Sequence, residues 1–192
     1  QWSPMTERII LKNDGSKLLI SEISYNPILH LIGNDTIQSK NLEFIEIKNF
    51  SNSNIEISGF EISGGISYKF SLNSEIKANG LIVIASDSAS FKKIYGFSPT
   101  GQFTGNLSND EEEIILSNPI GITLSRIKYN DNGIWYNAAD GSGYTLVPSS
   151  YIVNQLSDIQ SNWRVSTNWL GSPGDDDPAA CDTLITFSEV LA

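Results

Sequence analysis

This chain of 192 residues has one cysteine, one histidine and one methionine. A lone cysteine, Cys181, excludes an intrachain disulfide. One cysteine and one histidine together cannot supply the several His or Cys ligands of a zinc site. A Ser–His–Asp triad could use only His30, which stands in the apolar run Ile28-Leu29-His30-Leu31-Ile32, and no G-x-S-x-G turn is present. His30 therefore reads as a partly buried loop residue. Walker and G-x-G-x-x-G loops are also missing, since Gly141-Ser142-Gly143 lacks the third glycine and a strand–helix context. The longest apolar run, Leu81-Ile82-Val83-Ile84-Ala85, is far short of the ~20 residues a membrane-crossing helix needs. The start, Gln1-Trp2-Ser3-Pro4, shows neither the basic nor the apolar region of a secretion signal. With no leading Met, the chain reads as a fragment or a processed product.

Basic residues are few. The net charge is −10, and most of it falls in the second half, where 12 acids meet 3 bases. Such a surface repels phosphate backbones, so nucleic acid is not an expected partner. Hydrophobic residues make up 40% of the chain and aromatics 10%, as in folded globular proteins.

What is present is alternation with a period of two. In Phe44-Ile45-Glu46-Ile47-Lys48, Ile45 and Ile47 face one way and Glu46 and Lys48 the other. The same pattern places Ile55 and Ile57 around Glu56, and Phe60 and Ile62 around Glu61. It also places Ile122 and Leu124 around Thr123, and Ile127 and Tyr129 around Lys128. This predicts antiparallel strands with one buried face. Leu81 to Ala85 and Ile114 to Leu116 are apolar on both faces, as central strands would be. Gly64-Gly65, Asn79-Gly80, Asn118-Pro119-Ile120-Gly121 and Asn130-Asp131-Asn132-Gly133 supply the reversals. One helix is predicted, capped by Asp87 or Ser88, with Phe91, Ile94 and Tyr95 on one face and Gly96 as its stop. The expected fold is all-β: an Ig-like antiparallel β-sandwich with one short helix connecting across one end.

The order of these strands, from Leu18-Leu19-Ile20-Ser21-Glu22-Ile23 through Ala139-Asp140-Gly141-Ser142-Gly143-Tyr144, resembles the lamin-tail domain in its bacterial secreted form. The resemblance runs from Leu18 to about Gly174, where Asn162-Trp163-Arg164-Val165-Ser166 and Gly171-Ser172-Pro173-Gly174 resemble the family's closing tail, and it implies a non-catalytic module of a larger bacterial cell-surface protein. It implies that Trp135 and Trp163 help to seal the sandwich. Residues 1–17 read as a leading segment that ends a preceding Ig-like module, and 175–182 as a linker. Residues 183–192, where Ser188-Glu189-Val190 echoes Ser21-Glu22-Ile23, read as the first strand of a second repeat. Expected partners are a protein, a cell-surface glycan or neighbouring domains of the same polypeptide, without membrane insertion. The expected location is secreted or on a bacterial surface.

Two binding chemistries fit particular residues. Trp135, Tyr136 and Trp169 could stack on sugar rings, as in a carbohydrate- or cell-wall-binding module of a secreted hydrolase. Asn130, Asp131 and Asp140 lie in oxygen-rich turns suited to calcium, although no cofactor is required and the spacing is not that of an EF-hand. Paired carboxylates could in principle hydrolyse glycosides, but Glu46, Glu61 and Glu113 alternate with core residues and read as solvated strand positions.

Overall fold

A computed structural model describes residues 17–33, 35–131, 137–149 and 160–178. Trp135, Tyr136, Cys181, nearly all of the leading segment and the whole of 183–192 lie outside the described residues.

The first strands are β1 (Leu18–Ser24), the hairpin β2 (His30–Ile32) with β3 (Asp35–Ile37), and β4 (Phe44–Asn49). Next come β5 (Ile55–Glu56), β6 (Glu61–Ser63), β7 (Ile66–Lys69), β8 (Glu75–Ile76) and β9 (Leu81–Ala85). Helix α1 (Ser88–Tyr95) precedes β10 (Gly101–Gln102), β11 (Thr104–Gly105), β12 (Glu111–Ser117) and β13 (Thr123–Asn130). The last strands are β14 (Leu146–Pro148) and β15 (Trp163–Val165).

Two sheets face each other. One has the order β10-β9-β4-β1-β14-β15, and the other β11-β7-β6-β12-β13. All pairings are antiparallel except β10 on β9. The core between them is branched and aromatic. Ile20, Ile23, Ile45, Ile47 and Ile84 of the first sheet meet Ile62, Ile66, Ile114, Leu116 and Ile127 of the second. Tyr25 and Tyr129 stack across the gap with ring centroids 4.5 Å apart. This is the expected Ig-like sandwich, and the alternation at Ile45/Ile47 and Ile127/Tyr129 points inward as predicted.

At Ile122 the alternation fails. Ile122 is 45% exposed, while Ser125 is buried in phase with Ile127 and Tyr129. A register shift between Leu116 and Ser117 lets the β12–β13 end slip out of the pattern. The inward serine has a partner across the sandwich. A bulge in β1 between Ile20 and Glu22 breaks the ladder, and the Ile20 amide donates instead to Ser125 Oγ at 3.1 Å.

The helix starts and stops where expected. Asp87 accepts from the Ser90 amide at 2.7 Å, and Gly96 sits at φ 81° in the left-handed cap. It does not cross an end of the sandwich. Phe44, Val83 and Ala85 point to the outer face of the first sheet, and α1 covers them with Phe91 and Tyr95. That second small core explains why Leu81 to Ala85 is apolar on both faces.

Candidate functional site

The outer face of the first sheet, beyond α1, should carry solvated charges. It does not. Glu22 of β1 and Glu46 of β4 are direct cross-strand partners, and both are buried. The segment 166–178 runs over them as a strap. Its backbone amides meet the carboxylates: Ser172 N donates to Glu22 Oε1 at 3.0 Å, and Gly174 N to Glu46 Oε2 at 2.6 Å. Thr145 Oγ1 donates to Glu22 at 2.5 Å and Ser21 Oγ to Glu46 at 2.7 Å. The solvated-strand reading of Glu46 is thus corrected, because a distant segment covers its side of the strand. Glu61 and Glu113 remain at the surface, paired with Lys69 and Arg126.

Two ion pairs pin the strap. Lys48, on the same face as Glu46, pairs with Asp176. Arg164 of β15 pairs with Asp177 at 2.5 Å, and Asp177 also accepts from the Thr167 amide and Ser172 Oγ. Asp176 and Asp177, read from sequence as part of a linker, are therefore fastened to the sandwich. Helix α1 joins in, with Tyr95 Oη donating to Leu170 O at 3.0 Å. Close approach demands a glycine here: Gly171 has φ 80°, and a Cβ would lie 2.0 Å from Glu22 Oε1.

Burial dominates the acids' behaviour. Loss of hydration, then the charge of Glu46, pushes Glu22 up to about 8. Loss of hydration likewise pushes Glu46 up to about 7 despite its bonds to Gly174 and Ser21. Two ionised carboxylates side by side without solvent are disfavoured, so the pair keeps a proton near neutrality.

A second polar feature lies at one end of the sandwich. A cleft of about 380 Å³ opens between the loop after β1, the turn before β4 and the loop before β12. Tyr25, Asn26, Gln38, Lys40, Glu43 and Asn106 line it, with Leu107 and Asn109 beside them. Glu43 Oε2 accepts from the Leu107 amide at 2.9 Å and so ties two of the loops together. Burial pushes the Glu43 carboxyl up to about 7. It is the only carboxylate among the described lining residues, whereas glycoside hydrolysis ordinarily uses two.

The residues singled out from sequence fall in several places. Trp163 is buried in the core, as the seal predicted for it requires. Trp169 is 51% exposed, lies over Gly143, and has its ring centroid 5.7 Å from that of His30. His30 belongs to strand β2 rather than a loop. The Asn130 amide donates to Glu111 Oε2 at 3.1 Å, and the Asp131 amide continues the ladder to Asp110 O at 2.7 Å. Asp140 Oδ1 accepts from Asn26 Nδ2 at 2.6 Å. The charges of Asp140 and Asp131 both act on Tyr25, whose hydroxyl burial already holds above its ordinary range. Among the described residues no group of three His, Cys, Asp or Glu side chains converges as a metal site would.

The cleft was not legible in the sequence, and of the strap only a closing tail to Gly174 was, without its contacts to Glu22 and Glu46. The cleft's signal was faint: asparagines at 26, 106 and 109, each in a turn between strands. The strap's contacts with the acids had none nearby, because Ser172 lies 150 residues from Glu22.

The lamin tail domain model matches residues 12–131, well over half the chain, and the chain belongs to that family. The match runs from before β1 through β13, while β14, β15 and the strap follow it. No curated protein matches the chain.

Proposed function

We propose that this lamin tail domain is a non-catalytic structural and docking module of a larger protein on a bacterial surface. One observation carries the reading: the paired buried acids hold chain segments together instead of facing an open cleft. Glu22 and Glu46 receive strap amides on the covered side of the sheet. Groups so engaged brace a scaffold, and a braced sandwich presents its turns and edges in fixed positions. Leu29 and Leu31 are exposed on either side of His30, against which Trp169 rests, and this apolar surface suits a protein or a neighbouring domain of the same polypeptide. The half-exposed Trp169 also supports a second reading, a sugar-stacking surface on this module.

Antibody raised against the domain tests the reading on intact producing cells. Labelling that external protease removes is the expected result. Labelling seen only after lysis would sink the surface assignment. Turnover of a chromogenic ester, phosphoester or glycoside that is lost in Glu22→Gln would sink the non-catalytic one. A rise in Tm on adding calcium, lost in Asp131→Asn and Asp140→Asn, would add a structural ion to this module.

A further inference from the structure

The end cleft is built, not incidental. Three separate chain segments meet there, and each is fixed by bonds to its neighbours. Tyr25 is held by its stack on Tyr129, and the Tyr129 hydroxyl donates to Ser108 O at 2.8 Å, anchoring the loop before β12. Asn26 is held twice: its amide donates to Asp140, and its carbonyl accepts from the Gly141 amide at 2.8 Å. Glu43 is held through one oxygen by the Leu107 amide.

What remains is a set of polar groups around one space. Glu43 and Tyr25 are each only 2% exposed, and both line the cleft. Among the described residues, Glu43 Oε1 and the Tyr25 hydroxyl make no hydrogen bond with the protein, and neither atom is sealed away from the cleft. Polar groups that reach a cleft without a protein partner look to water or a ligand for one. Around them stand the carboxamides of Asn26, Gln38, Asn106 and Asn109. A carboxamide both donates and accepts, as does a phenol. The volume of about 380 Å³ falls within the range of small-ligand sites.

The charges narrow the ligand. Glu43 at the floor, with Asp131 and Asp140 acting on Tyr25, opposes an anion. Lys40 in the lining opposes a cation. Hydroxyl groups, which donate and accept and carry no charge, match what is left. We propose that this cleft binds an uncharged, hydroxyl-rich ligand, the chemical class of a saccharide unit. Glu43, protonated in part near neutrality, then donates as well as accepts. The assignment does not depend on the domain's cellular location, nor on Trp169, which lies outside the cleft lining.

The test uses the whole chain on a printed array of defined neutral, anionic and cationic oligosaccharides. Titration calorimetry with the best neutral binder follows, with a lysine-rich peptide and inorganic phosphate as comparison probes. Saturable binding to neutral sugars is expected. Asn106 and Asn109 are exposed, so Asn106→Ala and Asn109→Ala should fold normally and weaken binding about three- to tenfold each. Tyr25→Phe, which removes only the hydroxyl, should do the same, while Leu72→Ala, at an exposed position outside the cleft lining, leaves affinity unchanged. Absence of any neutral binder overturns the proposal. So does affinity within twofold of the parent in both asparagine variants, loss of binding in Trp169→Ala alone, or preference for the peptide or phosphate.

Discussion

Replacing Glu22 with glutamine should make this protein more stable in mild alkali and leave it nearly unchanged in mild acid. Three titratable groups act on or feel Glu22. Glu46 stands opposite on β4, Asp177 approaches from the strap, and Tyr95 from α1. Lys48, whose charge favours the ionised form of Glu46, is engaged with Asp176. The folded Glu22 carboxyl holds its proton up to about 8, against 4.5 when unfolded. Its folded value is raised, so its contribution to stability is fully present below pH 4.5 and is lost as pH rises toward 8. At 1.36 kcal/mol per pH unit the full range is about 5 kcal/mol. Glu46 shares that repulsion, so the pair is counted once, and a loss of about 2–5 kcal/mol between pH 5 and 8 is expected. Glutamine keeps the length and an accepting oxygen for the Ser172 amide and Thr145, but cannot ionise. Urea unfolding at several pH values, in a His30→Gln background that removes the one imidazole, reads the difference. The slope of stability against pH should fall by at least half in Glu22→Gln, with Glu43 supplying part of the remainder. A parent protein whose stability is flat or rising from pH 5 to 8 would refute the reasoning. So would a variant that is weaker by the same amount at every pH.

Ser125→Ala should cost about 1–3 kcal/mol in urea unfolding, because it strands the Ile20 amide at the β1 bulge inside the core. Asp177→Ala leaves Arg164 without its buried partner and frees the Thr167 amide, so a loss of about 3–5 kcal/mol is expected, measured the same way. Gly171→Ala forces a side chain toward Glu22 Oε1 at φ 80°. It should lift the strap, reduce stability by about 1–3 kcal/mol and open residues 166–178 to limited proteolysis. An unchanged cleavage pattern there would count against the strap's dependence on close approach.

Much of the sandwich was legible because its signals are local. Ile45 and Ile47 alternate with polar neighbours, Asp87 and Gly96 bracket a helix, and each needs only a few adjacent residues to be read. Ile122 misled because the register shift between Leu116 and Ser117 changes the phase of the strand, and the Asn118-Pro119-Ile120-Gly121 turn marks a reversal without saying in which phase the next strand resumes. The position of α1 was missed for a related reason. Phe44, Val83 and Ala85 lie on the face that alternation assigns to solvent, and only the assembled sheet shows them as one patch. The seal at Trp163 was legible through family resemblance, not through its neighbours.

The acids show where such reading stops. Alternation reports parity, and parity says which residues share a face, not what covers that face. Glu46 has the parity of a solvated residue and the environment of a core one, because Gly174 returns from 128 positions away. The same return explains why two glutamates can sit opposite each other. On an open sheet they would both ionise and repel. Under the strap they hold at least one proton and offer oxygens to amides that have no other partner in the sheet. The Ser21-Glu22 step in β1 is then one device with two parts. The bulge turns Ser21 toward Glu46, and Glu22 takes the strap. A chain that kept the sandwich but lost the strap should therefore replace Glu22 and Glu46 together. Truncation before Ser166 in this protein should make Glu22→Gln and Glu46→Gln indistinguishable from the truncated parent at pH 8 in urea unfolding. A stabilisation that persists without the strap would place the burden on the strands alone.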